Sequence, residues 1–381
     1  MERPELIALL RATGCAEEQG NLVFLCDPKW GEGERMALAL AANQSELANP
    51  KIEISRGWLG LPTGGTSGGV RFARHDEHTL SAAVRGFCAH FQIERVNAVD
   101  VLPPFHVSGL MARVRCAATA GDHLPWDWKR LEARDLPGLR PAPGGWVISL
   151  VPTQLQRLLA SPATLEWLRG FRLILIGGGP IWPALAEAAA QARLPISLSY
   201  GMTETAAMIA AQRPGEFLAG ARDSGIPLEH ARIALNGEGV ITVAGASLFR
   251  GYFPELREQR EFVTEDLGQI DGNGRLDILG RRDAVIITGG KKVQPAEVEA
   301  ALLASGEFTD VAVIGMPDPE WGQTVVACYR ATAGEEPNLQ HAVEKLPAYQ
   351  RPKRFVAVTD WPRNAQGKVN RLALQSAAAS A

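Results

Sequence analysis

The stretch at residues 171–201, FRLILIGGGPIWPALAEAAAQARLPISLSYG, decides the class of fold. A short apolar run, RLILI, ends in three glycines and is followed by WPALAEAAAQAR, whose small and apolar residues have helical spacing. A second apolar run, PISLSYG, comes next. Apolar strands that alternate with helices indicate a largely parallel sheet covered by helices. Because ligands bind at the carboxyl ends of such strands, the residues that follow them are candidate site residues.

The same alternation continues toward the amino end. VNAVDVLP (96–103) and GWVISLVP (145–152) are predicted strands, while MARVRCAATA (111–120) is a predicted helix. The first fifty or so residues are predicted to be helical, on the pattern of LALAANQSEL (38–47). Beyond residue 225, ARIALNGEGVITVAGASL (231–248) is typical of a hairpin, so that segment is predicted to be antiparallel.

After GRRD (280–283) a smaller run of strands and helices begins, which places a domain boundary near Asp283. The predicted fold class is α/β. A large N-terminal domain (1–282) has mixed sheets flanked by helices, and a small, mobile C-terminal α+β domain (283–381) follows at a usual domain size.

Composition excludes several classes of protein. Hydrophobic residues make up 46% of the 381 residues and charged residues 21%, which is typical of a globular chain. A net charge of −3 gives no excess of positive charge of the kind that binds nucleic acid. No apolar run reaches the roughly 18 residues of a membrane span, so no integral membrane association is expected. Five scattered cysteines without metal-ligand spacing favour a reducing compartment, and we expect a cytoplasmic protein.

Residues 63–71, TGGTSGGVR, form a candidate phosphate-binding loop. Glycines let consecutive backbone N–H groups approach an anion, hydroxyls add donors, and Arg71 adds a positive charge suited to phosphate. No Walker A pattern is present, and a flexible Gly/Ser connection is the alternative. The residues assigned to phosphate binding are Thr63, Gly65, Thr66, Ser67, Gly68 and Arg71.

Two further segments follow predicted strands. The glycines of GGGP (177–180) would allow a flat ring to lie against the backbone, although a simple strand-to-helix turn is the alternative. SYGMTET (199–205) supplies an aromatic ring, hydroxyls and the carboxylate of Glu204, which is the kind of ligand that Mg²⁺ prefers. The alternative is that Glu204 begins a helix, where the dipole favours an acid.

Two segments of the carboxyl half carry isolated charges. Asp266 could accept hydrogen bonds from ribose hydroxyls and Arg281 could reach the same sugar, or the two form a surface ion pair. NAQGKVNR (364–371) places Lys368 on a polar loop, where it could reach a substrate or remain an ordinary solvated lysine.

The order and spacing of these segments resemble the adenylate-forming superfamily of acyl-CoA synthetases, peptide-synthetase adenylation domains and luciferases. The motifs of that superfamily match residues 63 to 371 in the same order. TSGTTGxPK matches residues 63–71, YGxTE matches 200–204, TGD matches 264–266, GRxxD matches 280–283, GGxx[IV]xPxE[IV]E matches 289–299, and PRNxxGKxxR matches 362–371.

The resemblance implies a two-step reaction with ATP, Mg²⁺ and CoA, in which an acyl-adenylate forms from a carboxylic acid and then acylates CoA. It implies catalytic roles for Lys368, Glu204, Thr203 and His106, and metal binding by Glu204 and Thr66. The remaining ATP contacts would be Gly178, Gly179, Pro180, Tyr200, Gly201, Asp266 and Arg281. The resemblance also implies a hinge at Asp283, a CoA channel at Gly289 and Gly290, and an acyl pocket that includes His106, Thr153 and Gln154.

Within the superfamily, PFHVSGL (104–110) and SLVPTQLQRLL (149–159) resemble the o-succinylbenzoate–CoA ligase family of menaquinone and phylloquinone synthesis. Ligases for another aryl or fatty acid, a domain that loads a carrier protein, and a nucleotide-binding homologue with impaired catalysis are the alternatives. An acid with a second carboxylate needs a polar partner in the pocket, whereas a fatty acid needs only an apolar tunnel.

Several positions depart from the family pattern. Arg71 stands where the family has lysine, Val70 where it has proline, Gly64 where it has serine, and Glu265 where it has glycine. Only about sixty residues precede the phosphate loop. The expected consequences are a narrower acyl site, apolar surface exposed for a homodimer, or lost activity. The retained Glu204, Asp266 and Lys368 favour an active enzyme.

Overall fold

The computed structural model describes residues 1–43, 56–64, 70–331, 336–362 and 369–380. The chain divides into two compact units. The large unit consists of residues 1–179, 188–264 and 270–277, and the small unit consists of residues 180–187, 265–269 and 278–381. The domain boundary near Asp283 stays a prediction.

The helices and strands alternate through the large unit, while strands dominate the small one. The helices are α1 (Arg3–Arg11), α2 (Glu32–Asn43), α3 (Glu77–Phe91), α4 (Val107–Ala118), α5 (Trp128–Glu132), α6 (Pro152–Leu159), α7 (Pro162–Arg169), α8 (Pro183–Gln191), α9 (Pro214–Leu218), α10 (Pro295–Ala304), α11 (Leu339–Val343) and α12 (Arg371–Ser380). The strands are β1 (Ala16–Gln19), β2 (Leu22–Leu25), β3 (Leu59–Gly64), β4 (Val70–His75), β5 (Asn97–Asp100), β6 (His123–Pro125), β7 (Trp146–Leu150), β8 (Leu173–Ile176), β9 (Ile196–Met202), β10 (Ala207–Ala211), β11 (Ile226–Pro227), β12 (Ala231–Leu235), β13 (Val240–Gly245), β14 (Glu261–Ile270), β15 (Leu276–Arg281), β16 (Ile286–Thr288), β17 (Lys291–Val293), β18 (Phe308–Asp318), β19 (Gly322–Ala331) and β20 (Arg354–Ala357).

The amino-terminal part corrects the expectation of an all-helical segment. Between α1 and α2, strands β1 and β2 form an antiparallel hairpin, and β2 continues into a four-stranded sheet of order β1-β2-β3-β4. All four residues of β2 are buried, which accounts for the run LVFL. A short, fully buried apolar run does not distinguish a strand from a helix by its spacing, so sequence periodicity could not detect this hairpin.

A seven-stranded sheet forms the centre of the large unit, in the order β11-β10-β9-β8-β7-β5-β6. The strands from β9 through β6 are parallel, as the alternation of strands and helices predicted. Helices α3 and α4 contribute Phe87, Ala112 and Cys116 to a buried core shared with the strands. The carboxyl ends of the parallel strands therefore meet at one edge of a well-packed sheet.

The predicted hairpin at 231–248 is observed as the antiparallel pair β12–β13. The small unit contains the sheet order β17-β16-β19-β18, with β20 parallel to β19. Helix α10 begins at Pro295, and its buried Val298 and Leu302 pack in one apolar cluster of this unit.

This architecture confirms the predicted mixed α/β fold with a large N-terminal and a small C-terminal domain. Over the part of the chain that the structure describes, we find no helix with the length and apolar character needed to cross a membrane.

Candidate functional site

The carboxyl edge of the seven-stranded sheet collects several predicted residues. Because β5, β7, β8 and β9 are neighbouring parallel strands, the segments that follow them lie at one edge. His106 follows β5, Gly178 follows β8, and Tyr200 lies near the end of β9. Thr153 and Gln154 follow β7, and Gly179 continues from Gly178 in the large unit. The separate predictions at these positions thus correspond to one edge of one sheet.

The two acyl-pocket candidates on α6 have different surroundings. The side-chain Oε1 of Gln154 accepts a hydrogen bond from the backbone N–H of Val151 at 2.9 Å, so this amide caps the start of α6. Thr153 is half-buried beside it. His106 is the residue before α4, half-buried, with its ring 4.6 Å from the ring of Phe105. Gln154 therefore has a structural role that the sequence pattern did not indicate.

The two ends of the candidate phosphate loop lie side by side. Strands β3 and β4 are antiparallel, and their register pairs Thr63 with Arg71 and Gly64 with Val70. Gly65, Thr66, Ser67 and Gly68 lie outside the described residues. Thr63 and Arg71 thus face each other on neighbouring strands, which suits two donors that contact one anion.

Glu204 lies in a short 3₁₀ turn at Thr203–Thr205, directly after β9. Its side chain is buried, with 6% of the residue exposed. One oxygen, Oε1, accepts hydrogen bonds from the hydroxyl of Thr63 at 3.3 Å and from the phenol of Tyr252 at 2.6 Å. The turn resembles the helix start considered as the alternative reading, but the carboxylate faces Thr63 and Tyr252 and has partners outside its own turn.

Tyr252 is a site residue that the sequence reasoning missed. Its ring lies under the guanidinium of Arg71, with the Arg71 Cζ 4.2 Å from the ring centroid. Burial and the neighbouring Glu204 carboxylate raise the pKa of the Tyr252 phenol, which keeps its proton available to donate. Arg71 on β4 and Glu204 in the turn after β9 are therefore connected through one aromatic side chain.

The backbone around Tyr252 is fixed along the edge of β4. Ala73 and Tyr252 form an antiparallel bridge, and Phe253 N–H donates to the Phe72 carbonyl at 2.9 Å. On the other side, Arg250 N–H donates to the Arg74 carbonyl at 2.7 Å. The motifs considered in the sequence did not include residues 250–253, and the contacts in the folded chain reveal their role.

A buried pair of polar residues supports the turn that carries Glu204. His75 is fully buried, and its Nε2 donates to the carbonyl of Thr203 at 2.8 Å. Since a carbonyl only accepts, Nε2 carries the hydrogen, and Nδ1 lies 3.0 Å from the hydroxyl of Thr79. Burial lowers the pKa of His75 to about 4, so the ring is neutral at ordinary pH.

Asp76 anchors the same region. Its carboxylate is fully buried, caps α3 through the Thr79 N–H at 3.0 Å, and accepts from Arg250 Nε at 2.8 Å and from Gly57 N–H at 3.1 Å. The pKa of Asp76 is lowered: burial acts against this, but the hydrogen bonds and charge of Arg250 and the backbone donors outweigh it. This ion pair ties the segment of Tyr252 to the start of α3.

Gly201 shows how closely β10 approaches the site. A Cβ at Gly201 would lie 2.1 Å from the Ala207 carbonyl oxygen of the neighbouring strand. Glycine is therefore required there by the β9–β10 turn itself, whether or not a nucleotide contacts it.

The small unit brings together the predicted ribose and hinge residues. Arg281 donates to both carboxylate oxygens of Asp283, at 2.8 and 2.7 Å, and its NH1 lies 3.6 Å from Asp266 Oδ1. Beside them, Glu265, which stands at the family's glycine position, forms a bidentate ion pair with Arg282 at 3.0 and 2.9 Å. The extra acid at the family's glycine position is thus matched by the second arginine of GRRD. Pro180 also belongs to the small unit.

The two predicted channel glycines differ. Both have positive φ in the β16–β17 turn, but a Cβ at Gly289 would lie 2.5 Å from the ring of Trp321, whereas one at Gly290 would meet no described atom within 4 Å. The Trp321 ring is also contacted by Lys353 Nζ, 3.7 Å from its centroid. Gly289 is therefore required for packing against Trp321. The predicted catalytic residue Lys368 lies outside the described residues.

The oxygen atoms of Glu204 and Thr63 in the large unit are suitable ligands for a magnesium ion that also binds phosphate. Within the described ranges, no three His, Cys, Asp or Glu side chains gather as a metal cluster. Mg²⁺ does not need one, because it is commonly held by one or two carboxylates together with substrate phosphates. The buried Glu204 carboxylate beside Thr63 supplies a hard oxygen ligand of that kind.

Comparisons with known proteins agree with this geometry. The family model described as AMP-binding enzyme matches residues 60–253, and the AMP-binding enzyme C-terminal domain matches residues 297–368. The 2-succinylbenzoate–CoA ligase of Geobacillus kaustophilus is 35% identical over 309 residues, which cover 74% of this chain and 61% of the relative. The chain thus spans about three fifths of that relative's length.

Solved structures agree as well. The o-succinylbenzoate CoA synthetase of Bacillus subtilis, in complex with the acyl-adenylate intermediate, has a TM-score of 0.73 at 26% identity, covering 85% of this chain and 70% of that one. The same synthetase with ATP and magnesium has a TM-score of 0.70 at 26% identity, covering 85% and 72%. With both family models matched in order across the sequence motifs, the chain belongs to the family of AMP-binding, adenylate-forming enzymes.

Proposed function

We propose that this protein is an ATP-dependent acid–CoA ligase and that its acid is o-succinylbenzoate, for quinone synthesis. In the first step, a carboxylate oxygen bonds to the α-phosphorus of ATP and the bond to the β,γ-pyrophosphate breaks. In the second step, the thiol sulfur of CoA bonds to the acyl carbon, AMP leaves, and the thiol proton is released. The products are acyl-CoA, AMP and pyrophosphate.

One observation carries the proposal: a buried carboxylate, Glu204, shares a hydrogen bond with Thr63 at the end of the candidate phosphate loop. The names of the relatives, 2-succinylbenzoate–CoA ligases, support the choice of acid. The bound acyl-adenylate in the Bacillus subtilis synthetase supports the intermediate. Because the chain spans only part of these relatives, both remain proposals for this protein.

The chemical difficulty of the first step is to bring a carboxylate against a polyphosphate. Thr63, the loop 65–69 and Arg71 would hold the β- and γ-phosphates with N–H, hydroxyl and guanidinium donors. Glu204 would hold Mg²⁺, which supplies positive charge at the phosphate oxygens as charge shifts toward the leaving group. Lys368 would bridge the acid and the α-phosphate. Donors fixed in advance stabilise the transition state because they need no reorganisation during the reaction.

The nucleoside and the second step involve the other predicted residues. Gly178, Gly179, Pro180, Tyr200 and Gly201 would frame adenine. Asp266 and Arg281 would bind the ribose. We also propose that the small domain turns about Asp283 between the steps, so that Gly289 and Gly290 line the path of CoA.

The identity of the acid is tested by pyrophosphate release from ATP and Mg²⁺. The acids are o-succinylbenzoate, benzoate, a medium-chain fatty acid and an amino acid, each with and without CoA. We expect CoA-dependent turnover with o-succinylbenzoate alone. Turnover with another acid would remove the quinone assignment and keep the chemistry, while silence from a folded, ATP-binding protein would favour a homologue with impaired catalysis.

The mechanism is tested by Lys368→Ala. We expect adenylate formation to fall by orders of magnitude, because a preorganised cation at the reacting phosphate is lost, while the melting temperature stays unchanged. The matched control is Lys345→Ala, which removes an exposed lysine of the small unit. An unchanged rate in the Lys368 variant would refute the mechanism.

A further inference from the structure

We propose that Tyr252 is a positioning residue that holds the metal-binding carboxylate of Glu204 and the phosphate-binding guanidinium of Arg71 in register with each other. This inference rests on the proposed function, since it concerns how the metal and the phosphates are bound. Tyr252 lies within residues 60–253 that the family model matches, but it belongs to none of the motifs that indicated the family from the sequence.

The first support is the geometry at Glu204. The Tyr252 phenol donates to Oε1 at 2.6 Å, and the Thr63 hydroxyl donates to the same oxygen at 3.3 Å. Both of these hydrogen bonds therefore fall on one oxygen, and Oε2 is the oxygen that they leave for a cation. A carboxylate oriented before the metal arrives loses less side-chain freedom on binding, which favours the bound state.

The second support is the contact with Arg71, which explains a departure from the family pattern. A guanidinium is planar and stacks well on an aromatic face, whereas the ammonium of lysine is a compact point charge. The Arg71 Cζ lies 4.2 Å from the centre of the Tyr252 ring. Arginine at this position can thus be held in place by the ring, while Thr63 pairs with it across the ladder.

The third support is the rigidity of Tyr252 itself. Its backbone is bridged to Ala73, and its ring meets that of Phe249 edge-on at 4.8 Å. Phe249 N–H in turn donates to the Glu204 carbonyl at 2.8 Å. The residue that packs on the Tyr252 ring is therefore hydrogen-bonded to the backbone of Glu204. A side chain with both its backbone and its ring in contact with neighbours can position the groups that it touches.

The experiment measures metal binding directly, with Mn²⁺ as the probe and the non-hydrolysable analogue α,β-methylene-ATP. Free Mn²⁺ is followed by electron paramagnetic resonance, and analogue binding is also measured in EDTA. For Tyr252→Phe we expect about tenfold weaker Mn²⁺ binding, because a hydrogen bond to a charged group is lost. Analogue affinity in EDTA should be unchanged, since the hydroxyl acts through the metal ligand. A merely structural role would not separate these two readouts.

Tyr349→Phe is the matched control, because it removes the hydroxyl of a tyrosine that is 45% exposed. The ring retained in Tyr252→Phe preserves the contacts with Phe249 and Arg71, and its melting temperature should match that of the control. Equal Mn²⁺ affinity in Tyr252→Phe and wild type would overturn the inference alone. A wild-type protein that binds neither the analogue nor Mn²⁺ would overturn the proposed function with it.

The Arg71 contact is tested by Arg71→Lys in two backgrounds. In the wild-type background we expect about threefold weaker analogue binding, because the stacking on the ring is reduced. In the Tyr252→Leu background, which lacks the ring, the same change should have a smaller effect. Equal effects in both backgrounds would overturn the coupling between these two side chains.

Discussion

Two clusters of charged residues, one in each unit, differ in how water reaches them. The Glu204 cluster of the large unit contains Glu204, Thr63, Tyr252 and Arg71, and its carboxylate is 6% exposed. The Arg281 cluster of the small unit contains Asp266, Arg281 and Asp283, and the Arg281 side chain is 47% exposed.

The difference teaches how each cluster can act. A buried carboxylate must have its partners in place, because water cannot replace them, so the Glu204 cluster is suited to hold one geometry. The Arg281 side chain is 47% exposed and that of Asp283 22%, so water can reach this pair and Arg281 can give up Asp283 at smaller cost if a sugar competes for it. Burial therefore separates residues that fix a geometry from residues that can change partners.

The largest expected effect is on activity, from Glu204→Gln. This change keeps the shape and removes the charge, and we expect adenylate formation to fall by about a hundredfold to a thousandfold. The matched change Glu265→Gln in the small unit alters an acid whose side chain is 42% exposed and should leave the rate within about twofold. Similar losses from both would break the comparison; pyrophosphate exchange measures them.

The next largest effect is on stability, from Arg250→Ala. The change leaves Asp76, which is fully buried, without its charged partner, and we expect a loss of about 3 kcal/mol in the free energy of unfolding. Arg157→Ala serves as the control, because its pair with Glu132 is roughly two-fifths exposed on both sides. Denaturant unfolding measures both variants, and equal losses would contradict the role assigned to burial.

The buried region is also expected to contribute to the response to acid, and His75 is one of the buried histidines whose pKa is lowered. Its pKa is about 4 in the folded state because of burial, whereas an unfolded histidine titrates near 6.5. Above that pH both states are neutral and nothing is lost. As pH falls from about 6.5 to about 4, only the unfolded chain takes up the proton, so folding loses up to about 3 kcal/mol.

His75→Gln, which retains an N–H for the Thr203 carbonyl, should flatten this part of the stability profile. His78→Gln is the control, since the His78 side chain is 73% exposed. Denaturant unfolding at several pH values gives the slope. A slope that is the same in His75→Gln as in wild type would show that another group carries the acid sensitivity.

The smallest expected effect sharpens the exposed side of the comparison. Arg282→Ala removes the pair with Glu265, whose members are 44% and 42% exposed, and should change the free energy of unfolding by less than about 0.5 kcal/mol. The shift should also shrink as salt is added. A loss comparable to that of Arg250→Ala would mean that exposure is a poor guide in this protein.

The sequence predicted those parts of the fold and site that repeat along the chain or carry recognisable chemistry. Strand–helix alternation predicted the parallel sheet, and motif order predicted the family. The hairpin Ala16–Leu25 was missed because a four-residue apolar run has no diagnostic period. Tyr252 was missed because its role depends on a bridge to Ala73, 179 positions away in the chain, which no local pattern encodes.

Other residues were predicted for one reason and are constrained for another. Gly201 and Gly289 were singled out for ligands, yet the neighbouring Ala207 carbonyl and the Trp321 ring already exclude side chains there. Gln154 was singled out as a pocket residue, yet its amide caps a helix. Whether such a residue packs, caps a helix or meets a ligand depends on how the folded chain places its neighbours, and the residue types in a motif do not distinguish these roles.

The register between β3 and β4 fixes the number of residues in the connection between them. Gly64 pairs with Val70 and Thr63 pairs with Arg71. This register leaves five residues between the two strands. The paired positions themselves accept other residue types, since Gly64, Val70 and Arg71 all depart from the family pattern and still pair. An insertion or deletion that shifts one strand by a single residue would turn every side chain on it to the opposite face, and Thr63 and Arg71 would no longer border the loop together. This segment should therefore tolerate substitutions more readily than insertions or deletions.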